Sequence, residues 1–169
     1  MDEVSLLVNL LTTNWASSAT TLQSAGTITS THTGTPNIID IRTMDKNKGV
    51  RYDLSSKDVI IIFEDSQNIE YPTVNFDIRN ETHTFTLHIR CIHDERAGTD
   101  TSFGMDRLEA LYLIARHVLE RKRTGYTASD GSKFNQVFIG SRTESNDRNK
   151  RIFGYKVNVE TKRFALSIP

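Results

Sequence analysis

Apolar residues recur at intervals of three and four in two stretches of the chain, and this spacing predicts two amphipathic helices. The first is predicted over residues 2–15, where two acidic residues suit the positive N-terminal end of a helix dipole. Its buried side consists of Val4, Leu7, Val8, Leu11 and Trp15. The second is predicted over residues 105–122, where charged residues occupy the side opposite the apolar stripe. Each helix therefore presents one apolar face to a core.

Other stretches alternate apolar and polar residues or contain short apolar runs, which predicts β-strands. Residues 58–65 include five consecutive apolar residues and predict a central strand that is buried on both faces. Further strands are predicted over residues 37–43, 50–54, 82–95, 134–142 and 151–160. Residues 65–68 are predicted to form a turn, and residues 69–80, which contain Pro72, to be irregular or edge structure.

These elements predict an α/β protein of the α+β kind. We expect a mixed, mainly antiparallel sheet of four to five strands with the two helices packed on it. Residues 16–37 are rich in serine and threonine and poor in apolar residues, which predicts a long flexible arm. A single domain is expected at this length. Its parts are the helix 2–15, the arm 16–37, the α/β core 38–160 and the C-terminal tail 161–169.

His83, His88 and His93 are evenly spaced in the strand predicted over residues 82–95. A strand rises about 3.3 Å per residue and alternates its faces, so neighbouring histidines of this set lie about 16 Å apart on opposite faces. The outer two share a face but lie about 33 Å apart. The three histidines therefore cannot bind one ion, and no metal site is predicted.

Composition gives no support for a charged partner or a membrane segment. Lysine plus arginine and aspartate plus glutamate number 21 each, so no excess of one sign attracts the molecule to nucleic acid or anionic lipid. The acidic start "MDEV" is unlike a signal peptide, and the longest apolar run, Val59 to Phe63, is far shorter than the roughly 20 residues of a membrane span. We expect a soluble, intracellular protein.

Motifs for catalysis are also missing from the sequence. Cys91 is the only cysteine, which excludes an internal disulfide and a multi-cysteine zinc site. Its place in an apolar row predicts a core residue rather than a nucleophile. No phosphate-binding loop, nucleophile elbow or paired-histidine helix occurs. We therefore predict a protein that is not an enzyme and that has no catalytic residues, cofactor or metal.

The order of the elements resembles the lambda-type tail terminator family of long-tailed phages and viruses. The resemblance is carried by "DVIIIFED" (58–65), the strand "THTFTLHIRCIHDE" (82–95) and the helix "MDRLEALYLIARHVLERK" (105–122). The opening helix and the closing pair of strands also lie where that family has them. The serine- and threonine-rich arm and the C-terminal tail are larger than the family requires.

The resemblance implies a structural virion protein without enzymatic activity. Such a protein forms a homo-oligomeric ring, hexameric by family analogy, on the last ring of tail-tube protein. The ring stops tube growth and joins the tail to the head–tail connector protein, while genomic DNA passes through it as cargo. It is assembled in the host cytoplasm, resides in the tail or neck of the virion and contacts no membrane.

A closed ring requires a heterologous interface, in which one patch of a subunit meets a different patch of the next subunit. Charged loops, the arm and the C-terminal tail are the expected material for that interface. The candidate interface residues are Asp94, Glu95, Arg96, Arg148, Lys150, Arg151, Phe164 and Leu166. Phe164 and Leu166 alternate in the tail and suit addition of a strand to a neighbouring sheet edge. For the six charged residues, solvated loops are the alternative interpretation.

Two other functional classes fit the same sequence. Another neck component, such as a head-completion, stopper or adaptor protein, is also a small ring-forming subunit, and it differs in its binding partners. A small ligand-binding or enzymatic α/β domain requires instead a concave pocket with converging polar residues.

Overall fold

The computed structural model describes residues 1–40, 58–71, 78–92, 102–146 and 152–166. Two α-helices lie in these ranges, α1 over Glu3–Ser24 and α2 over Ser102–Arg121. The strands are β1 Asn37–Asp40, β2 Val59–Glu70, β3 Ile78–Ile92, β4 Tyr126–Thr127, β5 Lys133–Phe134, β6 Gln136–Glu144 and β7 Ile152–Leu166. The strand predicted over residues 50–54 lies outside the described residues.

Five strands form one sheet in the order β1-β2-β3-β7-β6, and β4 pairs with β5 in a separate short ladder. Strands β1 and β2 are parallel, whereas the other neighbours in the large sheet are antiparallel. Strands β3 and β7 pair along their whole length, from Ile78 opposite Leu166 to Ile92 opposite Ile152. The predicted α+β class, a mainly antiparallel sheet with two helices, is confirmed.

The main core lies between the two helices and one face of the sheet. Strand β3 alternates its side chains between the two faces, so every second residue points toward the helices. The buried residues of β3 are Glu81, His83, Phe85, Leu87, Ile89 and Cys91. Trp15 of α1 and Leu111 of α2 belong to the same core. Burial of Cys91 in this core agrees with its predicted role as a core residue.

A smaller apolar cluster lies on the opposite face of the sheet. It contains Ile39 of β1 together with Val59 and Ile61 of β2, and Phe63 packs against it. The intervening residues of β2, Ile60 and Ile62, belong to the main core. The prediction that residues 58–65 form a central strand buried on both faces is therefore confirmed for the part of β2 that lies between β1 and β3.

Strand β2 continues to Glu70, so the turn predicted over residues 65–68 is wrong. The polar residues that suggested a turn have polar partners on β3. The Ser66 and Thr84 hydroxyls lie 2.6 Å apart, and Thr86 donates a hydrogen bond of 2.7 Å to Asp65. A bulge between Glu64 and Ser66 accommodates the extra residue. Polar strand residues are stable here because they occupy an exposed part of the sheet.

The C-terminal tail predicted from residue 161 is also wrong, because β7 is continuous as far as Leu166. Thr161 is fully buried and lies opposite His83 of β3. The residues that follow it pair with the first residues of β3, so they belong to the chain's own sheet. The alternation of Phe164 and Leu166 is accordingly the alternation of a strand within this subunit.

The flexible arm predicted over residues 16–37 is wrong, and its first part is the second half of α1. Threonine hydroxyls in this part bond to carbonyl groups one turn earlier, from Thr20 to Ala16 at 3.0 Å and from Thr21 to Ser17 at 2.9 Å. These bonds satisfy the hydroxyls inside a helix, where such residues are otherwise unfavourable. The helix ends before Gly26, whose φ of 69° favours glycine.

The rest of the predicted arm is fixed by Arg107 of α2. Its guanidinium donates hydrogen bonds to the carbonyl groups of His32 and Gly34, the latter at 2.9 Å, and to the Asp58 carboxylate at 2.7 Å. Ile28 in the same segment is buried in the main core. Deletion of residues 17–35 should therefore unfold the subunit, because the buried contacts of this segment would be lost.

Replacing Arg107 with alanine should destabilise the protein strongly. The substitution leaves a partly buried Asp58 carboxylate and two carbonyl groups without their partner, a loss of about 3–5 kcal/mol in the free energy of unfolding. Urea denaturation measures this change. The matched control is Arg116→Ala in the same helix, where Arg116 is exposed and pairs with Glu120, and its cost should be at most about 1 kcal/mol. Equal losses in the two variants would contradict the role assigned to Arg107.

Candidate functional site

Most of the predicted interface residues lie outside the described residues. These are Asp94, Glu95, Arg96, Arg148, Lys150 and Arg151. The structure places the other two, Phe164 and Leu166, in the last residues of β7. Phe164 is 42% exposed, an unusual fraction for a large apolar side chain. The Phe164 side chain is therefore available for contact with another molecule.

Phe164 belongs to one end of the sheet, which we term the distal sheet end and define as residues 69–71, 78–81 and 163–166. Ile69 and Tyr71 at this end are also exposed, by 41% and 46%. Three of the four large apolar side chains that are exposed in the described residues therefore lie at the distal sheet end. Ile69 pairs with Glu81 and Phe164 opposes Asn80, so the two side chains lie on opposite faces of the sheet. Exposed apolar side chains that can contact another molecule are therefore present on both faces of this end.

Within the described ranges, the edge strands of the sheet also have unpaired stretches near this end. Strand β1 pairs with β2 only as far as Ile62, so from Phe63 to Glu70 no described strand pairs with the outer edge of β2. Strand β6 begins to pair with β7 at Lys162. Beyond that residue, a hydrogen bond of 2.8 Å from the Phe164 amide to the Asn135 side chain replaces strand pairing. Open edges can add a strand from another chain.

The sheet face opposite the helices carries a shallow polar groove of about 420 Å³. Its lining includes Asp65, Thr84, Phe138, Gly140, Asn158 and Glu160. Neither histidine nor cysteine is among the described residues that line the groove. The groove offers hydrogen-bonding groups on an open surface, which suits contact with a protein better than enclosure of a small substrate.

Arg142 forms a charged group of contacts that connects β6 to α2. Its guanidinium lies 4.4 Å from the ring centroids of both Tyr112 and Tyr155 and donates to the Glu109 carboxylate at 2.8 and 3.0 Å. The Tyr155 hydroxyl donates to the same carboxylate at 2.9 Å. Burial, and then the bond to Glu109, raise the pKa of Tyr155 to about 12. These mutual contacts make the group a structural clamp rather than a reactive site.

Four titratable side chains meet near the start of α1, and we term them the buried cluster: Glu3, Glu64, Glu81 and His83. His83 is only 2% exposed and Glu81 only 4%. Nδ1 of His83 lies 2.7 Å from a Glu64 carboxylate oxygen, and Nε2 lies 4.0 Å from an oxygen of Glu3. Glu3, Glu81 and His83 each place one potential ligand atom within 4.8 Å of the others, so these three can hold a metal ion.

Two arginines border the buried cluster. Arg163 Nη1 lies 3.2 Å from Oε1 of Glu3, and Arg79 Nη2 lies 2.5 Å from Oε1 of Glu81. With His83 neutral, Glu3, Glu64 and Glu81 carry three negative charges against the two positive charges of the arginines. The cluster therefore retains one negative charge that neither arginine balances.

The buried cluster was not predicted, although part of its signal is present in the sequence. The alternation that places Phe85 in the buried row also places Glu81 and His83 there, two and four residues earlier. The predicted opposite orientation of His83 and His88 is confirmed, since His83 is buried in the helix-covered face and His88 contacts Phe63 on the other. Glu3 is distant from His83 in the sequence, and no local sequence pattern indicates that the two side chains lie close together.

No protein-family model matches this chain, and no curated protein matches it in sequence. Neither helix in the described part of the chain has the length and apolar character needed to cross a membrane. A function is therefore inferred from the residues and their geometry.

Cys91 should react very slowly with a thiol reagent such as DTNB in the native state. Burial, and then the charge of Asp58, raise the pKa of the Cys91 thiol far above its usual range, so the reactive thiolate is scarce. At pH 8 we expect a rate about 100-fold lower than in urea-unfolded protein, with opening of the fold as the limiting step. Since Cys91 is the only thiol, the unfolded protein is its own control. Rapid reaction in the native state would contradict burial of this residue.

Proposed function

We propose that the chain is a tail terminator protein of a long-tailed phage or virus. The observation that supports this proposal most directly is the distal sheet end, where exposed apolar side chains lie beside open strand edges. The order of helix, long antiparallel strands, second helix and final hairpin agrees with the resemblance to the lambda-type family. In this proposal the chain has a structural role in the virion and performs no catalysis.

The distal sheet end is proposed to form one half of the interface between neighbouring subunits. Ile69, Tyr71 and Phe164 would contact a different surface of the next subunit, and the open edge of β2 would pair with its backbone. Such a contact is heterologous and closes into a ring when the rotation between subunits divides a full turn. Six subunits are expected by family analogy.

The ring is proposed to stack on the last ring of tail-tube protein and to face the head–tail connector protein on its other side. Polar groups of the groove on the open sheet face suit such stacking, because transient and assembled contacts use hydrogen bonds as well as apolar area. Genomic DNA would pass through the ring without being read. The proposed location is the neck of the virion, after assembly in the host cytoplasm.

A ring with a central hole is expected when the protein is concentrated or mixed with tail-tube protein from the same genome. Light scattering should give a mass near six times the 19.2 kDa subunit, and negative-stain images should show the hole. Addition of the protein to growing tubes should shorten them by capping their ends. A protein that stays monomeric at every concentration and leaves tube length unchanged would overturn the proposal. Binding to portal or adaptor protein in place of tube protein would instead identify another neck component.

Phe164→Glu should weaken capping without unfolding the subunit. The side chain is exposed in the isolated chain, so the free energy of unfolding should change by about 0.5 kcal/mol or less. A buried charge at the interface should raise the concentration needed for capping by at least about tenfold. Thr20→Glu, on the exposed surface of α1, is the control and should cap normally. Normal capping by Phe164→Glu would exclude the distal sheet end from the interface.

Free DNA should bind weakly and without sequence preference. The formal net charge is zero, so the release of counterions that drives non-specific binding is small. Fluorescence anisotropy at physiological salt should give a dissociation constant of about 10⁻⁴ M or weaker. Tight binding that persists at high salt would contradict passage of DNA as cargo.

A further inference from the structure

We propose that the buried cluster binds one divalent transition-metal ion, with Nε2 of His83 and the carboxylates of Glu3 and Glu81 as its ligands. This site is independent of the proposed role in the virus tail. It joins the first turn of α1 to the buried face of β3. Of the three evenly spaced histidines, only His83 belongs to the cluster, so the site does not depend on their spacing.

The orientation of His83 is the first reason for this assignment. Glu64 accepts a hydrogen bond from Nδ1–H at 2.7 Å, which leaves the lone pair on Nε2. Nε2 is buried and has no hydrogen-bond partner among the described residues. A carboxylate that orients the remote nitrogen of a histidine is the usual arrangement beside a metal ligand. An unpaired buried nitrogen is otherwise costly, so a ligand at this position removes a penalty.

Distances supply the second reason. The three ligand atoms lie within 4.8 Å of one another, and Nε2 lies 4.0 Å from the Glu3 oxygen. Two ligands at about 2.1 Å from a tetrahedral ion lie roughly 3.4 Å apart. For Nε2 and the Glu3 oxygen the required contraction is therefore about 0.6 Å. Glu3 can provide it, because it belongs to the first turn of α1 and its side chain is 20% exposed.

Charge supplies the third reason. Glu3, Glu64 and Glu81 together exceed Arg79 and Arg163 by one negative charge when His83 is neutral. A divalent cation reverses this excess. Oε1 of Glu3 is both the oxygen nearest Nε2 and the partner of Arg163, and it can serve both because a carboxylate oxygen has two lone pairs. The competing arrangement is a proton on Nε2, which would make His83 a donor toward Glu3. The two arrangements exclude each other, since a protonated Nε2 has no lone pair for a metal.

The ligand types select the class of ion. An imidazole nitrogen with two carboxylates suits Zn²⁺, Co²⁺ or Mn²⁺, whereas Ca²⁺ and Mg²⁺ prefer oxygen ligands alone. Because the ligands come from α1 and β3, the ion would fix the start of α1 to the sheet. Binding to the folded state alone would raise the stability of the protein with metal concentration.

The test is titration of untagged, chelator-treated protein with Zn²⁺ by calorimetry at pH 7.5, with thermal unfolding as the second readout. We expect one Zn²⁺ per chain with a dissociation constant of about 10 μM or tighter, and a rise in Tm that Mg²⁺ does not reproduce. His83→Gln should weaken Zn²⁺ binding at least tenfold. Glu64→Ala should weaken it by about tenfold through loss of the hydrogen bond that orients His83.

The matched control is His88→Gln, which removes a histidine from the other face of the same strand and should bind Zn²⁺ as the parent protein does. Glu3→Gln, at the helix start, provides a second ligand variant should His83→Gln fail to fold, and it should also weaken binding at least tenfold. Absence of stoichiometric binding would overturn the proposal. Equal losses in His88→Gln and in the ligand variants would likewise overturn it, because binding would then be adventitious.

Discussion

The alternation of strand β3 under two helices is the constraint on which the rest of the structure depends. Helices α1 and α2 cover one face of the sheet, so every second residue of β3 must be buried there. Apolar residues satisfy this requirement from Phe85 onward. At Glu81 and His83 the same rule buries titratable groups, and buried polar groups require partners. The cluster with Glu3 and Glu64 is the consequence.

The same strands continue past the point where α1 begins, and the distal sheet end results. Glu3, the first residue of α1, contacts Arg163, while β7 continues to Leu166 and β3 begins at Ile78. Burial inside the subunit is therefore replaced by exposure at Ile69, Tyr71 and Phe164. The buried cluster lies at this boundary between covered and exposed sheet. A metal there would stabilise the part of the fold next to the proposed interface.

The helical part of the predicted arm was predictable from the sequence, whereas the anchoring of the rest was not. Trp15, Ala19 and Leu22 continue the helical spacing of Leu11, although the surrounding serines and threonines resemble a loop. Their hydroxyls bond to the preceding turn and so tolerate a helix. By contrast, the bonds from Arg107 to His32 and Gly34 join residues more than 70 positions apart. No local pattern indicates them.

The sequence by itself determined the two helices, the principal strands, the mainly antiparallel sheet and the row of β3 that faces the core. Periods of two and 3.6 residues follow from local backbone geometry, so they can be read over short stretches. Only the tertiary structure decided which distant groups meet, such as Glu3 and Arg163, which are 160 residues apart. Such contacts depend on how the helices pack on the sheet and where the strands end. They are set by three-dimensional packing and not by local backbone conformation.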